Sequence, residues 1–217
     1  VGILGSGGRV IAESTPITNH PQEGLSLSGT SAEITDGQIS GNGTYGLFGT
    51  NGSTATLVTS TVTDNRSGGV SLDNGAVDAV ATDISGNGPV GIVGTEAIVN
   101  LSNSSRVFDH TTDGIRLTDS TAKLIDSSIT ANDADGIDAA NSKITIQGCT
   151  LSQNGVAALD ARSTSATAAT SLFTDNGSSA VLATERARVT LVGSTVSGHP
   201  NDAFILDGSS VSLQDCE

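Results

Sequence analysis

Apolar and polar residues alternate over short stretches of this chain, and the stretches recur about every 22 residues from one end to the other. In the sixth repeat, Ile115 and Leu117 form one apolar pair, Ala122 and Leu124 form a second, and Ile129 marks a third stretch. Such alternation predicts short β-strands, because successive side chains of a strand point to opposite faces. Glycine, asparagine, aspartate and serine separate the stretches, and these residues form turns at low cost.

Five columns of residues keep their type when the repeats are aligned on one another. The most constant column holds asparagine or histidine, and its members are His20, Asn42, Asn65, Asn87, His110, Asn132, Asn154, Asn176 and His199. An apolar residue stands three positions before each member, and a hydroxyl residue stands two positions before all but His110, where Phe108 takes its place. Glycine or alanine follows four positions later, and an apolar residue five positions later. A repeat this regular predicts a solenoid.

Three short strands in about 22 residues predict one coil of a parallel β-helix, because helical repeats need more than about thirty residues and a wide apolar stripe. The expected fold class is all-β: a single-stranded right-handed parallel β-helix of about ten coils of 22 or 23 residues, with three short strands per coil. Neighbouring coils pair at about 4.8 Å, so ten of them form a rod roughly 48 Å long. Equivalent residues of successive coils then lie directly above one another.

The asparagine column is expected to occupy a turn. Asparagine tolerates left-handed backbone angles, and its side-chain amide can bond to the amide of the next coil in a ladder. The glycine or alanine column is expected to let the chain bend tightly into the next strand. The middle strand of coil five, residues 98–101, is displaced by one position from the pattern, which predicts a β-bulge.

Composition fits a thin core better than a globular one. Aromatic residues make up only 2% of the chain, and methionine and tryptophan are absent. The repeat runs from Gly2 to Glu217, so we expect residues 1–217 to form a single β-helix domain. The first residue falls inside a coil and the last falls just before the next apolar column, and we expect the chain to be a fragment of a longer one. Cys149 and Cys216 share a column three coils apart, roughly 14 Å, which predicts no disulfide between them.

The formal net charge of −14, from 23 acidic and nine basic residues, bounds the possible partners. It argues against nucleic acid, whose binders need a basic surface, and against adsorption to anionic lipid. No apolar stretch approaches the roughly 18 residues of a membrane-spanning helix. Repulsion between copies of a polyanionic rod favours a monomer. We expect a secreted or cell-surface location, with the bacterial outer surface favoured.

Charged residues are most concentrated in coils five to eight. Arg116, Asp138 and Asp160 share one outward column on consecutive coils, about 4.8 Å apart. Stacked carboxylates raise one another's pKa and can divide acid and base roles, as they do in glycosidases. Together with His110, these residues are the candidate catalytic set. The alternative is an exposed ladder in which Arg116 offsets Asp138, and in that case the chain has no catalytic residues.

Asp133, Asp135 and Asp138 are the candidate metal ligands, because their carboxylates can offer oxygens to Ca²⁺. The alternative is that the chain holds no metal and no cofactor. His20, His110 and His199 cannot share one metal ion, since they stand four coils, or roughly 19 Å, apart. We expect these histidines to replace asparagine in the turn.

The stretches 119–130 and 187–197 resemble the coils of pertactin-type autotransporter passenger domains. More distantly, they are similar to the right-handed β-helix repeats of pectate lyases, polygalacturonases and alginate epimerases. The first resemblance implies a surface-exposed adhesin or virulence factor without catalytic residues. The second implies that a polysaccharide binds in a groove along one sheet.

Each of the carbohydrate-active families implies a site of its own. Alginate epimerases carry an Asp-Pro-His-Glu-type site, of which Asp109-His110 matches two residue types. Pectate lyases need a catalytic arginine and carboxylates that bind Ca²⁺, to which Arg116, Asp138 and Asp160 are a loose match. The long active-site loops of these enzymes are missing, because every coil has 22 or 23 residues.

Two functions remain open from the sequence. The first is a non-enzymatic extracellular rod, an adhesion or virulence-type passenger fragment whose partner is a host surface or a glycan. Uniform coil length favours it, since catalytic grooves are usually walled by inserted loops. The alternative is a polysaccharide-binding or polysaccharide-active β-helix, working as a lyase, hydrolase or epimerase through its acidic face. The stacked carboxylates favour this alternative.

Overall fold

The chain winds as about ten coils of a parallel β-helix in the computed structural model, which describes residues 1–217. Its regular elements are 25 strands, and each pairs in parallel with the equivalent strand of the next coil. The pairing forms three faces, as the repeat predicts. The first and second faces belong to one continuous 16-stranded sheet, and the third is a separate sheet of nine strands. No helix is long and apolar enough to cross a membrane.

In the first four coils, one long strand turns the corner between the first and second faces. These strands are β1 (Ile3–Glu13), β3 (Leu25–Thr35), β5 (Tyr45–Val58) and β7 (Gly68–Val80). From the fifth coil onward the same path is divided into two strands. Those on the first face are β9 (Ile92–Thr95), β12 (Ile115–Thr118), β15 (Ile137–Ala140), β18 (Ala157–Arg162), β21 (Ser179–Thr184) and β24 (Phe204–Asp207).

The later strands of the second face are β10 (Ile98–Ser102), β13 (Thr121–Ile125), β16 (Lys143–Gln147), β19 (Ser165–Ala169), β22 (Arg188–Val192) and β25 (Ser210–Gln214). The third face is made of three-residue strands throughout. They are β2 (Pro16–Thr18), β4 (Gln38–Ser40), β6 (Thr61–Thr63), β8 (Asp83–Ser85), β11 (Arg106–Phe108), β14 (Ser128–Thr130), β17 (Thr150–Ser152), β20 (Leu172–Thr174) and β23 (Thr195–Ser197).

Alternating side chains of all three faces fill the interior. In the sixth repeat, Ile115, Leu117, Ala122, Leu124 and Ile129 are each at most 1% exposed, which confirms the three predicted apolar stretches. One cluster of 44 buried apolar residues runs along the rod, so the core is continuous from coil to coil. Burial of this apolar column is the main favourable term in folding.

The asparagine column forms the predicted ladder, and it lies inside the rod. Asn65 is fully buried. Its Oδ1 accepts hydrogen bonds from the backbone N–H of Asn42 at 3.1 Å and from Asn42 Nδ2 at 2.8 Å. Its Nδ2 donates to Asn87 Oδ1 at 2.8 Å and to the carbonyl of Ile39 at 3.1 Å. The Asn65 amide therefore uses both N–H donors and both lone pairs of its oxygen, as suits a buried polar group.

The left-handed backbone position is one residue earlier than expected. The asparagines and histidines of the ladder do not have positive φ; the residues before them do, from Asn19 (φ 58°) through Asp64 (55°) and Ala131 (55°) to Gly198 (74°). The prediction that the ladder residues themselves take left-handed angles is therefore wrong. The left-handed residue makes the turn, and this directs the following amide inward.

The glycine or alanine column is small because of crowding, and the prediction that it bends the chain is wrong. Gly46 does not have positive φ. A Cβ there would lie 2.7 Å from Val62 Cγ1 and 2.8 Å from Asn65 Nδ2. Only glycine or alanine is small enough for this position, because the apolar and amide side chains of the next coil lie directly against it.

The irregularities of the sheet are not where the sequence placed them. Residues 98–101 pair in unbroken register with the strands on both sides, so the predicted bulge in coil five is wrong. The register shifts instead between β3 and β5 and between β5 and β7, where coil three carries extra turn residues beside Thr50 and Ser53. Cys149 and Cys216 are both free thiols, as their separation along the rod predicts.

Replacing one central amide of the ladder tests its contribution to stability. Asn65→Ala leaves two buried donors of Asn42, its backbone N–H and one N–H of its side-chain amide, without an acceptor. We expect a loss of about 3 kcal/mol in the free energy of unfolding, because each buried unsatisfied group costs about 1–3 kcal/mol. Chemical denaturation with urea measures the loss. Asn100→Ala, which removes an outward amide on the second face, is the control and should cost well under half as much. Equal losses in the two variants would contradict the role of the ladder.

Candidate functional site

Arg116, Asp138 and Asp160 lie in one column on the first face, as the repeat predicts. Strands β12, β15 and β18 pair in register there, so Arg116 is opposite Asp138 and Asp138 is opposite Asp160. Neighbouring members of the column are one strand spacing apart, about 4.8 Å at the backbone. The structure therefore brings together three of the four candidate catalytic residues.

Two further carboxylates reach the same place from the turns that precede β12 and β15. Asp113 is buried, and its Oδ2 accepts a hydrogen bond from Arg116 Nε at 2.9 Å. Its Oδ1 accepts one from the backbone N–H of Asp135 at 3.1 Å. Asp135 repeats this arrangement one coil later, since its Oδ1 accepts the N–H of Ala157 at 2.8 Å. Both carboxylates thus join successive coils while carrying charge beside the column.

Arg162 completes the set, and the sequence analysis missed it. It stands two residues after Asp160 in β18, so both side chains leave the same face of the strand. Its guanidinium donates to Asp160 Oδ2 at 2.6 Å and pairs with Asp138. Asp138 also lies 3.6 Å from Arg116 Nε. The spacing of two residues between Asp160 and Arg162 indicates that both side chains share a face. The residues paired with Arg162 on the adjacent coils are Ala140 and Thr184, and they give no sign of a charged column. We call these side chains the acidic cluster: Asp113, Arg116, Asp135, Asp138, Asp160 and Arg162.

The acidic cluster holds four carboxyl groups and two guanidinium groups, so negative charge is only partly offset. Burial raises the pKa of Asp135 to about 6, although the hydrogen bond from the N–H of Ala157 acts in the opposite direction. The nearby charges of Asp160, Asp113 and Asp138 add to the increase. Burial also raises the pKa of Asp160, although Arg162 acts in the opposite direction. Asp160 is only 8% exposed, and its Oδ1 is buried without a hydrogen-bond partner. The cluster therefore contains two carboxyl groups, those of Asp135 and Asp160, whose proton affinity is raised.

His110 does not join the acidic cluster, although its sequence position suggested it. Its ring is buried in the ladder, with Nε2 at 3.1 Å from the carbonyl oxygen of Ile84 and Nδ1 at 3.3 Å from that of Asn87. Burial lowers the pKa of the imidazole. Both ring nitrogens face backbone carbonyls, of which a neutral imidazole can donate to only one, so the structure does not bring His110 together with the other candidate catalytic residues. The histidine replaces an asparagine of the ladder.

The candidate calcium ligands do not converge. Asp133 is exposed, whereas Asp135 caps a backbone N–H and Asp138 pairs with two arginines. No group of three or more histidine, cysteine, aspartate or glutamate side chains is arranged to hold a metal ion.

The acidic cluster stands on an open sheet face. The surface depressions of the rod have volumes of about 170–300 Å³, and none of them is lined by a residue of the cluster. No inserted loop rises beside it, because paired residues of adjacent coils remain 22 or 23 positions apart. Such a surface can contact a long molecule lying across several coils, but it does not enclose a small one.

The raised pKa of Asp135 predicts a pH-dependent change in stability. Because the folded-state pKa is above the ordinary value of about 4, the folded chain binds more protons between about pH 4 and pH 6. Its stability therefore falls as the pH rises through this window. Asp135→Asn keeps the acceptor for Ala157 but removes the charge. We expect it to raise the free energy of unfolding by about 1 kcal/mol at pH 8, after discounting for solvent screening, and to change it little at pH 4.

Denaturation curves of the two proteins at both pH values measure this effect. Asp133→Asn removes one exposed charge from the same turn and is the matched control for net charge. If Asp135→Asn raises the free energy of unfolding at pH 8 no more than the control does, the charge of Asp135 does not destabilise the fold.

Comparison with solved structures gives the same architecture. The periplasmic alginate epimerase AlgG is 14% identical and superposes with a TM-score of 0.61, over 89% of this chain and 61% of the epimerase. The pectate lyase Pel9A is 11% identical with a TM-score of 0.63, over 86% of this chain and 60% of the lyase. The Dettilon tailspike protein is 10% identical with a TM-score of 0.65, over 98% of this chain and 60% of the tailspike.

Identities this low show the fold alone, and the chain spans about 60% of the length of each of these proteins. None of the three is a pertactin-type passenger, so they support the more distant of the two resemblances suggested by the sequence. No curated protein matches the chain. The family model of the right-handed β-helix region matches residues 2–120 and 113–217, which together include nearly every coil. The chain therefore belongs to the right-handed β-helix family.

Proposed function

We propose that this chain binds a polysaccharide along its first face, with the acidic cluster as the central contact. The observation that carries the proposal is the set of paired carboxylates and guanidiniums on an open sheet face, where the side chains of Arg116 and Arg162 remain 44% and 36% exposed and that of Asp138 remains 16% exposed. Such groups are the usual partners of sugar hydroxyls, which both donate and accept hydrogen bonds. Two of the structural neighbours are by name an alginate epimerase and a pectate lyase, which supports a carbohydrate ligand.

The charge of the site favours an uncharged polysaccharide over a polyuronate. Arg116 pairs with Asp113, and Arg162 pairs with Asp138 and Asp160. Neither guanidinium is left to neutralise a carboxylate of the ligand, and the whole chain carries a net charge of −14. A polyuronate would therefore approach against a repulsive field, which lowers its rate of association and its affinity.

Acid–base chemistry on the bound polysaccharide is a second candidate, favoured by the proton affinities of the cluster. Asp135 has a pKa of about 6, and burial raises the pKa of Asp160 as well. Carboxyl groups whose pKa is raised toward neutrality can serve as a general acid or a general base near neutral pH. Asp135 and Asp160 would take these roles, while Asp138 stays ion-paired between the two arginines.

The adhesive rod suggested by the sequence stays a prediction. The uniform coils on which it depended are present, and glycan binding by the first face would give such a rod a means of attachment. We propose that the chain acts outside the cytoplasm, in the periplasm or beyond, and the periplasmic epimerase among the structural neighbours supports this location.

Binding to a polysaccharide panel tests the proposal. The panel consists of glucan, mannan and chitin chains, with alginate and polygalacturonate as the charged members. We expect binding to an uncharged chain and a loss of roughly tenfold or more in affinity for Asp160→Asn, because Asp160 holds the exposed guanidinium of Arg162 in place and a hydrogen bond to a charged group contributes about 1.5–3 kcal/mol. Asp78→Asn, which changes an exposed aspartate on the second face, is the matched control and should bind as the unmodified chain does.

The same samples decide between binding and turnover. Release of reducing ends or of unsaturated products, abolished by Asp160→Asn and by Asp135→Asn, would establish acid–base chemistry. Binding without any release of products would establish a binding function without turnover. Failure of every polymer to bind, or equal affinity of the unmodified chain and Asp160→Asn, would contradict the proposed site.

A further inference from the structure

An aromatic pair lies on the first face in line with the acidic cluster. Tyr45 is the only tyrosine of the chain, and Phe48 is one of only four phenylalanines. Their ring centroids are 6.3 Å apart and their planes differ by 20°, so the rings are nearly parallel and offset. Both side chains are half-buried, which leaves part of each ring open to solvent.

The surroundings of the pair hold it in place and leave polar groups beside it. Gly68 follows Tyr45 on the next coil, and a Cβ at Gly68 would lie 2.9 Å from Tyr45 Cε1. The tyrosine ring therefore rests on bare backbone. Phe48 is paired with Ser26 on one side and Ser71 on the other. An aromatic surface bordered by hydroxyl groups matches a sugar ring, which presents C–H bonds on its face and hydroxyls around its edge.

The same two columns carry the aromatic pair and the acidic cluster. Tyr45 and Phe48 occupy the positions that Asp113 and Arg116 occupy three coils later. The register runs without interruption from Phe48 to Ser71, Val93 and Arg116. Three strand spacings separate the pair from the near end of the cluster, about 14 Å along the rod. The intervening outward residues of this column, a serine and a valine, bring no charge between them.

We propose that Tyr45 and Phe48 form a second subsite, where a sugar ring stacks, so that one glycan chain lies parallel to the rod axis across both sites. This inference rests on the proposed polysaccharide-binding function. It assigns the direction of the bound chain and a minimum length, because an oligosaccharide must cross about 14 Å to contact both sites. Occupation of the two sites by one chain raises the affinity through a high effective concentration.

Tyrosine fluorescence reports directly on this subsite. The chain has no tryptophan, so Tyr45 is its dominant intrinsic fluorophore. The probes are oligosaccharides of the uncharged polymer that binds best in the panel, as the disaccharide and the octasaccharide. We expect the octasaccharide to change the emission of Tyr45 with the same midpoint as its binding measured by calorimetry. The disaccharide is too short to contact the acidic cluster and the aromatic pair at once. We therefore expect it to bind at least tenfold more weakly than the octasaccharide.

Phe48→Leu separates stacking from simple apolar volume, and it keeps Tyr45 as the reporter. We expect a roughly five- to tenfold loss of octasaccharide affinity, from the contribution of one aromatic contact, with less than a twofold change for the disaccharide. Leu172→Ala, which truncates an exposed apolar side chain on the third face, is the control and should leave both affinities unchanged. Thermal denaturation confirms that both variants are folded.

The outcomes distinguish this inference from the function on which it rests. Octasaccharide binding that is lost in Asp160→Asn but is the same in Phe48→Leu, with no change in Tyr45 emission, would overturn the aromatic subsite and keep the proposed function. Absence of binding by every oligosaccharide would overturn both. A fluorescence change together with the selective loss in Phe48→Leu would establish the subsite.

Discussion

Hydrogen bonding between successive coils constrains every other feature of this molecule. A coil cannot satisfy its backbone alone, so each strand must meet the strand above it and the strand below it in register. The ladder adds a stricter condition, since the buried amide of Asn65 needs its counterparts Asn42 and Asn87 on the two adjacent coils. The repeat therefore stays at 22 or 23 residues, and an extra residue is absorbed by a register shift at a corner, as it is beside Ser53.

This constraint also creates the surface chemistry. Because equivalent positions stack about 4.8 Å apart, side chains that are 22 residues apart in sequence become neighbours on the outside of the rod. In coils six to eight the result is a crowded set of carboxylates. Arg116 and Arg162 offset part of their repulsion, and burial, together with the repulsion that remains, raises the pKa of Asp135 and of Asp160.

The sequence predicts the columns well and the turns poorly. The three strands, the amide ladder and the stack of Arg116, Asp138 and Asp160 follow from a period that is visible in the residues. The left-handed position remains hidden because its occupants differ from coil to coil, among them Asn19, Ala131 and Gly198.

Side-chain partners across coils are the other part that the sequence does not show. Arg162 lies in an outward column whose adjacent members, Ala140 and Thr184, are uncharged, and its pairing depends on the reach of a long side chain. Asp113 precedes its strand by two residues and folds back onto Arg116, a contact that strand alternation alone does not predict. His110 is the converse case, since proximity in sequence suggested a site that burial excludes.

Distance measurement along one column tests the central claim of stacked coils most directly. The native cysteines are replaced by serine (Cys149→Ser and Cys216→Ser), so that they do not react with the label. Cysteines for spin labelling are then introduced in pairs, at Thr56 and Thr145 in one protein and at Thr56 and Thr190 in another. These threonines share an outward column of the second face, four and six coils apart. Pulsed electron spin resonance should give separations near 19 and 29 Å, an increment of about 4.8 Å per coil. Separations that do not increase with the number of coils would contradict the account.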